Sequence, residues 1–301
     1  MTDHKESTGE DEVLPKPRQT PLFLATQGAR YRRQDAIREI QKATGRKLIC
    51  YVSGQAGYIN RDDVLPLTDL LQSAEPGIKL DLMLHTLGGD VDAAEKIAGL
   101  LLKTVGPDGE LRVIVPDCAK SAGTLISLAA QSIVMSDTSE LGPIDPQIVT
   151  TSPDGSQTSR PANSYIDAYN EMMEQVEKGL TGPAIDALIA KFDPVLLDMC
   201  RKASKRSRKF AEKFLREGMF RGSKTANVTE IASKLDSNQT WLSHGAVINA
   251  EDAQSIGLTV DYRDEHENEW QAYWRLYCEM RLTLNSNTEK LFESDYASLQ
   301  I

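Results

Sequence analysis

Cysteine is scarce and scattered: Cys50, Cys118, Cys200 and Cys278 are the four in 301 residues, and no two stand at metal-ligand spacing. This argues against a disulfide framework and against a zinc site encoded by spacing, and it fits a reducing, cytoplasmic setting. Long apolar runs are missing too. The longest candidate, 119–134, is interrupted by Lys120, Ser121 and Gln131 and falls short of the roughly 20 residues that cross a bilayer, so no stable membrane insertion is expected. Positive charge is in deficit, with 34 Lys and Arg against 44 Asp and Glu. That balance disfavours nucleic acid as the main partner, because phosphate binding needs a basic face. The opening MTDHKESTGEDEVLPKPRQT lacks the apolar centre of a secretory signal, and 1–25 is expected to be a disordered polar arm.

What is present is ample core material, 40% hydrophobic residues, arranged as an alternation. Helical spacing covers Arg33 to Ala43; LICYVS (48–53), KLDLMLH (79–85), LRVIVP (111–116) and SIVMS (132–136) read as strands. Helical segments Asp63 to Ser73, Asp90 to Thr104 and Ser121 to Ala130 lie between them. Strands alternating with helices imply βαβ units, hence an α/β fold with a mostly parallel sheet. After about Ile148 the stretch SPDGSQTSRP reads as an exposed loop, and the chain is then mainly helical to Gly218. Within that half, CRKASKRSRKFAEKFLR (200–216) carries eight basic residues and one acidic one. A solvated face or a subunit contact is its expected use, ahead of nucleic acid or anionic membrane. From Asp264 onward, Trp270, Trp274 and Tyr277 suggest a further helix.

In an open α/β sheet, ligands collect where strands give way to helices. LMLHTLGGDVDAAEKIAGLL breaks at Gly88-Gly89; paired glycines turn sharply and present bare N–H groups. The spacing matches neither a dinucleotide fingerprint nor a P-loop. VIVPDCAKSAGTLISLAA ends a strand and starts an apolar helix at Ser121. A serine there is by itself an ordinary N-cap. Small neighbours Ala119, Ala122 and Gly123 leave its hydroxyl open, and a helix start would stabilise an oxyanion formed beside it.

Taken in order, HTLGGDVDAAEKIA, CAKSAGTLISLAA and IVMSDTSELGPIDPQ resemble the Clp/crotonase superfamily of serine peptidases. The closest likeness is to the serine dehydrogenase proteinase family, related to signal peptide peptidase A, over about residues 46 to 260. The resemblance implies a Clp/crotonase-like fold of repeated ββα/βαβ units with a helical C-terminal half. It divides the chain into a peptidase domain over 26–262, with a helical excursion at about 160–236, and a helical tail over 263–301. It further implies Ser121 as the nucleophile of an acyl-enzyme, with Gly88 and Ala122 N–H groups as oxyanion hole and Gly89 keeping the turn open.

The general base has several candidates. Clp peptidases place a histidine where this chain reads ELGPIDPQ, with Asp145 at the approximate position. Signal peptide peptidase relatives use a lysine further on; Ala162 to Gln175 has none, and Lys178 lies just beyond. His244, in WLSHGAVINAEDAQSIGL, is the favoured base, with Asp145 a candidate to orient it. His85 is a candidate for contacting substrate or orienting the glycine turn, and Lys120 reads better as a surface cation than as a base. The resemblance implies a polypeptide substrate, a trimer-based or ring homo-oligomer, and neither cofactor nor metal. The alternatives are a catalytically inactive scaffold of the same fold, and a crotonase-type acyl-CoA enzyme using the same two N–H groups.

Overall fold

The apolar runs become strands buried on both faces, the pattern a parallel sheet covered by helices requires. The computed structural model describes residues 20–301 apart from Ser73, Pro76, Ser152, Pro153 and Ser286. In chain order come α1 (Pro21–Thr44), β1 (Lys47–Ser53), α2 (Val64–Leu71), β2 (Lys79–His85), α3 (Val91–Val105), β3 (Glu110–Ile114) and β4 (Cys118–Ala119). Next are α4 (Ala122–Ser127), β5 (Ser132–Met135), β6 (Glu140–Leu141) and a hairpin of β7 (Gln147–Thr151) and β8 (Gln157–Pro161). A helical stretch follows: α5 (Ala162–Glu177), α6 (Pro183–Ile189), α7 (Pro194–Glu217), α8 (Val228–Leu235), α9 (Asn238–Trp241) and α10 (Ala250–Ser255). The chain closes with β9 (Val260–Tyr262), α11 (Asn268–Thr283), β10 (Lys290–Glu293) and β11 (Ser298–Gln300).

Seven strands form the main sheet in the order β11-β10-β1-β2-β3-β5-β9. The run from β1 to β9 is parallel, and β10 and β11 join its edge antiparallel. This is the α/β, mostly parallel Clp-like arrangement expected from the sequence. One face carries α2, α3 and α4 over a large apolar core that includes Leu80, Leu82, Leu84, Val113 and Ile126. The other carries α1 and α11 over a smaller cluster with Met83, Ile114, Val134, Trp270 and Tyr273.

Three expectations change. Residues 1–19 of the expected polar arm lie outside the described residues, but its last part does not: α1 begins at Pro21, capped by the Thr20 side chain. Proline at the first helical position sacrifices no hydrogen bond and presets φ, so the helix starts well before Arg33. The tail over 263–301 is not only helical, because KLFE and SLQ add β10 and β11 to the sheet, β10 pairing with β1 and β11 with β10. They are too short to announce themselves, and their edge position supplies what their sequence does not. The expected loop after Ile148 is in part a hairpin, with β8 at 157–161. Among the described residues no helix is long and apolar enough to cross a membrane.

Candidate active site

Two neighbouring strand ends build the site. β2 runs on past His85, and Thr86 bridges Ala119 in parallel: Thr86 N–H donates to Cys118 C=O (2.9 Å) and Lys120 N–H to Thr86 C=O (3.0 Å). The glycine turn after β2 and the serine turn after β4 therefore lie side by side. Ser121 sits there at φ 50°, ψ −110°. It and Leu242 are the two non-glycine residues with positive φ among the described residues. Such backbones cost about 1–3 kcal/mol and persist where the surroundings enforce them. Ser121 occupies the N-cap position of α4, yet its side chain makes no capping bond. The hydroxyl is partly exposed and left for other work.

The glycine turn presses against it. A Cβ on Gly88, whose φ is 110°, would lie 2.9 Å from Ser121 Cβ. One on Gly89 would lie 2.3 Å from Ile59 O, because Gly88 C=O and Asp90 N–H both bond Ile59. The sequence reading made Gly88 N–H the oxyanion donor. Here that N–H donates to Thr86 Oγ1 (3.1 Å). Since its two flanking groups are spent on Ile59, Gly89 directs its own N–H away from that strand. Ala122 N–H, first in its helix, has no intrahelical acceptor. Gly89 and Ala122 thus carry the uncommitted donors beside Ser121, while Gly88 keeps clearance for the serine. Thr86, which commits Gly88, was not singled out in the sequence, and an ordinary threonine ending a strand gives no signal of this role.

The base candidates come from two later segments. Leu141 and Ile248 exchange backbone bonds (2.9 and 3.1 Å), and β6 pairs with β4. Lys120 Nζ donates to Leu141 C=O (3.2 Å) and Ala246 C=O (3.0 Å) and pairs with Glu140 (3.0 Å). These ties hold segments 140–145 and 244–248 against the serine turn. On them, fully buried Asp145 meets His244 Nδ1 at 2.7 Å, with the imidazole about a quarter exposed. Gln147 Nε2 also reaches Asp145 Oδ2 (3.3 Å). Nδ1 is occupied, which leaves Nε2 to handle a proton. Leu242, at φ 60°, turns the chain two residues before His244, so the second strained backbone aims the candidate base. No hydrogen bond joins Ser121 to His244 in this conformation; such bonds tighten on substrate binding in many enzymes.

Residues 22–277 match the protein family described as ClpP-like SDH-type serine proteinase. The chain belongs to that family. The chain is 30% identical to one uncharacterised protein of Methanocaldococcus jannaschii over 77% of its own length and 73% of the relative's. It is 32% identical to a second over 68% of its own length, spanning 61% of that relative. Two solved structures of a membrane-bound stomatin-specific protease, 1510-N, also resemble it at 16% identity. One is a mutant with TM-score 0.42, covering 68% of this chain and 75% of that one. The other is a mutant bound to a substrate peptide, with TM-score 0.41 and coverage of 81% and 82%.

The remaining candidates of this SDH-type chain take other places. Lys120 is not a surface cation: its side chain is 12% exposed and serves as the clamp just described. Lys178 caps the end of α5, two-thirds exposed, and pairs with Glu174. His85 points to the α11 face, buried against the Tyr277 ring (5.1 Å between centroids) and beside Asp117 and Cys118. Burial pulls its pKa down to about 4, which keeps the imidazole neutral. Burial likewise pushes the Cys118 thiol up to about 12. Asp236 escaped the sequence reading altogether. Its carboxyl accepts from Ser204 (2.8 Å) and pairs with Arg208 (3.0 Å). Burial first, with Asp145 charge adding, raises its pKa to about 6.

Proposed function

We propose that this chain is a cytoplasmic, homo-oligomeric serine peptidase that hydrolyses peptide bonds of polypeptide substrates through an acyl-enzyme on Ser121. The observation that carries the reading is the Ser121 backbone, held at positive φ with its hydroxyl uncommitted against the glycine turn. Membership of a serine proteinase family supports the reaction class.

Ser121 Oγ attacks the scissile carbonyl carbon as His244 Nε2 takes the hydroxyl proton. The buried Asp145 carboxylate fixes the imidazole through Nδ1 and stabilises the imidazolium. The carbonyl oxygen, now anionic, accepts from Gly89 and Ala122 N–H; losing one such donor costs about 3–4 kcal/mol of transition-state stabilisation. His244 returns the proton to the departing amine, which leaves an ester on Ser121. It then deprotonates a water that attacks the ester, and the proton finally restores the serine hydroxyl as the acid departs. Metal and organic cofactors have no step in this sequence.

The test is intact-mass analysis after treatment with a fluorophosphonate, which phosphonylates activated serines. Wild type takes one adduct, Ser121→Ala takes none, and His244→Ala reacts orders of magnitude more slowly. A wild-type chain inert in every assembled form would overturn the proposal in favour of the scaffold or acyl-CoA alternatives. Equal reactivity of wild type and His244→Ala would remove His244 as base and leave Ser121 standing.

A further inference from the structure

Behind the serine turn, on the α11 face, polar atoms crowd around one nitrogen. His85 Nδ1 has Tyr277 Oη at 3.3 Å, Cys118 N at 3.4 Å, Cys118 Sγ at 3.5 Å and Asp117 Oδ2 at 3.6 Å. A nitrogen engaged in a hydrogen bond to N or O usually sits at about 2.7–3.2 Å. Each of the three N and O neighbours stands beyond that range: Cys118 N–H donates to Nδ1 over a long 3.4 Å bond, and Tyr277 Oη and Asp117 Oδ2 crowd the same nitrogen. Their spacing suits a shared centre better. A tetrahedral ion with bonds of about 2.0–2.3 Å to N, O and S ligands has ligand-to-ligand edges of about 3.3–3.7 Å. The Sγ–Nδ1 and Nδ1–Oδ2 separations fall in that range, and the three donor atoms all lie within 4.8 Å of one another.

We propose that His85 Nδ1, Cys118 Sγ and Asp117 Oδ2 form a binding site for a divalent transition-metal ion of the zinc class. The fourth position falls to water or to Tyr277, whose hydroxyl now donates to Asp117 Oδ2 at 2.5 Å. Ligand type agrees: imidazole, thiolate and carboxylate together suit zinc. The Cys118 proton leaves to solvent when the sulfur–metal bond forms. Carboxylate and thiolate then balance the dication; Glu140 adds negative charge nearby, while Lys120 and Arg281 oppose it. His85 and Cys118 are buried, and Asp117, with its side chain 44% exposed, gives the ion its way in.

The location gives the site a consequence. Cys118 C=O accepts from Thr86 N–H, and Thr86 Oγ1 holds Gly88 N–H. An ion bridging β2 and the 117–118 segment fixes the relative position of the two strands that lead to the glycine turn and to Ser121. Metal binding itself does not depend on the peptidase reading, and its test does not use activity.

Chelator-treated full-length protein is titrated with Co²⁺ and the absorption spectrum recorded, followed by displacement with Zn²⁺. One equivalent of Co²⁺ is expected to bring a thiolate-to-cobalt charge-transfer band and the strong ligand-field bands of tetrahedral cobalt, both erased by Zn²⁺. Cys118→Ser removes the charge-transfer band. Asp117→Asn, a conservative change at a half-exposed position, weakens Co²⁺ binding by at least about tenfold. Ser121→Ala and Cys278→Ser leave the spectrum unchanged. Failure to bind Co²⁺ at micromolar concentration, or a charge-transfer band that survives in Cys118→Ser, overturns the proposal.

Discussion

The two faces of the central sheet treat the same strand in opposite ways. On β2, Leu80, Leu82 and Leu84 enter the large apolar core under α2, α3 and α4. The alternate residues face α1 and α11, where Asp81 takes Arg46 Nε at 2.5 Å and Arg112 Nη2 at 2.7 Å, and Arg112 also reaches Tyr273 Oη. Nearby on that face, Arg33 binds Glu293 through two contacts of 2.6 and 3.0 Å. Apolar burial is non-directional, so the first face tolerates strained turns at its rim, and the serine site is built there. Ion pairs out of water need every partner in place, so the second face is fixed by geometry.

That contrast can be broken at several points, beginning with the chemistry at the rim of the apolar face. Asp145→Asn keeps the shape but leaves His244 without its anionic partner, and the fluorophosphonate labelling rate is expected to fall about 10⁴-fold. A drop of less than tenfold would mean that Asp145 caps a loop and nothing more. On the opposite face, Asp81→Ala removes the buried carboxylate shared by Arg46 and Arg112, leaving them only partly exposed Glu110, Asp261 and Glu269, and is expected to cost about 3–5 kcal/mol by denaturant unfolding. Leu82→Ala next to it costs about 2–5 kcal/mol by opening a cavity. Asp81→Asn separates the two mechanisms: it creates no cavity, so a loss below about 1 kcal/mol would show that charge does not hold that face.

A smaller effect concerns Asp236, whose pKa burial raises to about 6, above the ordinary carboxylate range. The folded state therefore binds the proton more tightly. Asp236 contributes stability that is present at low pH and is lost as pH rises from about 4 through 6, by about 3 kcal/mol at most. Asp236→Asn should flatten that part of the stability profile measured by thermal or urea unfolding; an unchanged slope would refute the shift. The least effect is expected on the basic helix α7, where Lys202 pairs with Asp198 in the open, 75% and 58% exposed. Lys202→Ala should change stability by less than about 0.5 kcal/mol, as exposed pairs do.

The parallel strands were legible because each is an apolar run between glycine or proline boundaries, and both turns were legible because Gly88-Gly89 and Ser121 interrupt such runs. His244 and Asp145 were visible as candidates through the family resemblance, Asp145 at the approximate place of the Clp histidine and His244 in WLSHGAVINAEDAQSIGL. Their pairing at 2.7 Å was not, because 99 positions separate them. The cluster of His85, Asp117 and Cys118 was hidden for the same reason: Cys118 follows His85 by 33 positions, and no ligand spacing survives in sequence. Gly88 N–H is taken up by one threonine hydroxyl, a contact that spacing cannot reveal.

By itself the sequence determined the alternation of strands and helices, the two small-residue turns and the acidic balance of charge, all of which are local properties of composition and period. Tertiary structure decided which face each alternate residue of β2 serves, that β10 and β11 close the sheet, and that Lys120 becomes a clamp. It also decided that Asp145 finds His244. These outcomes depend on strand order and on backbone bonds between distant segments, and such bonds have no counterpart in local sequence because each peptide group is chemically alike until the fold chooses its partner.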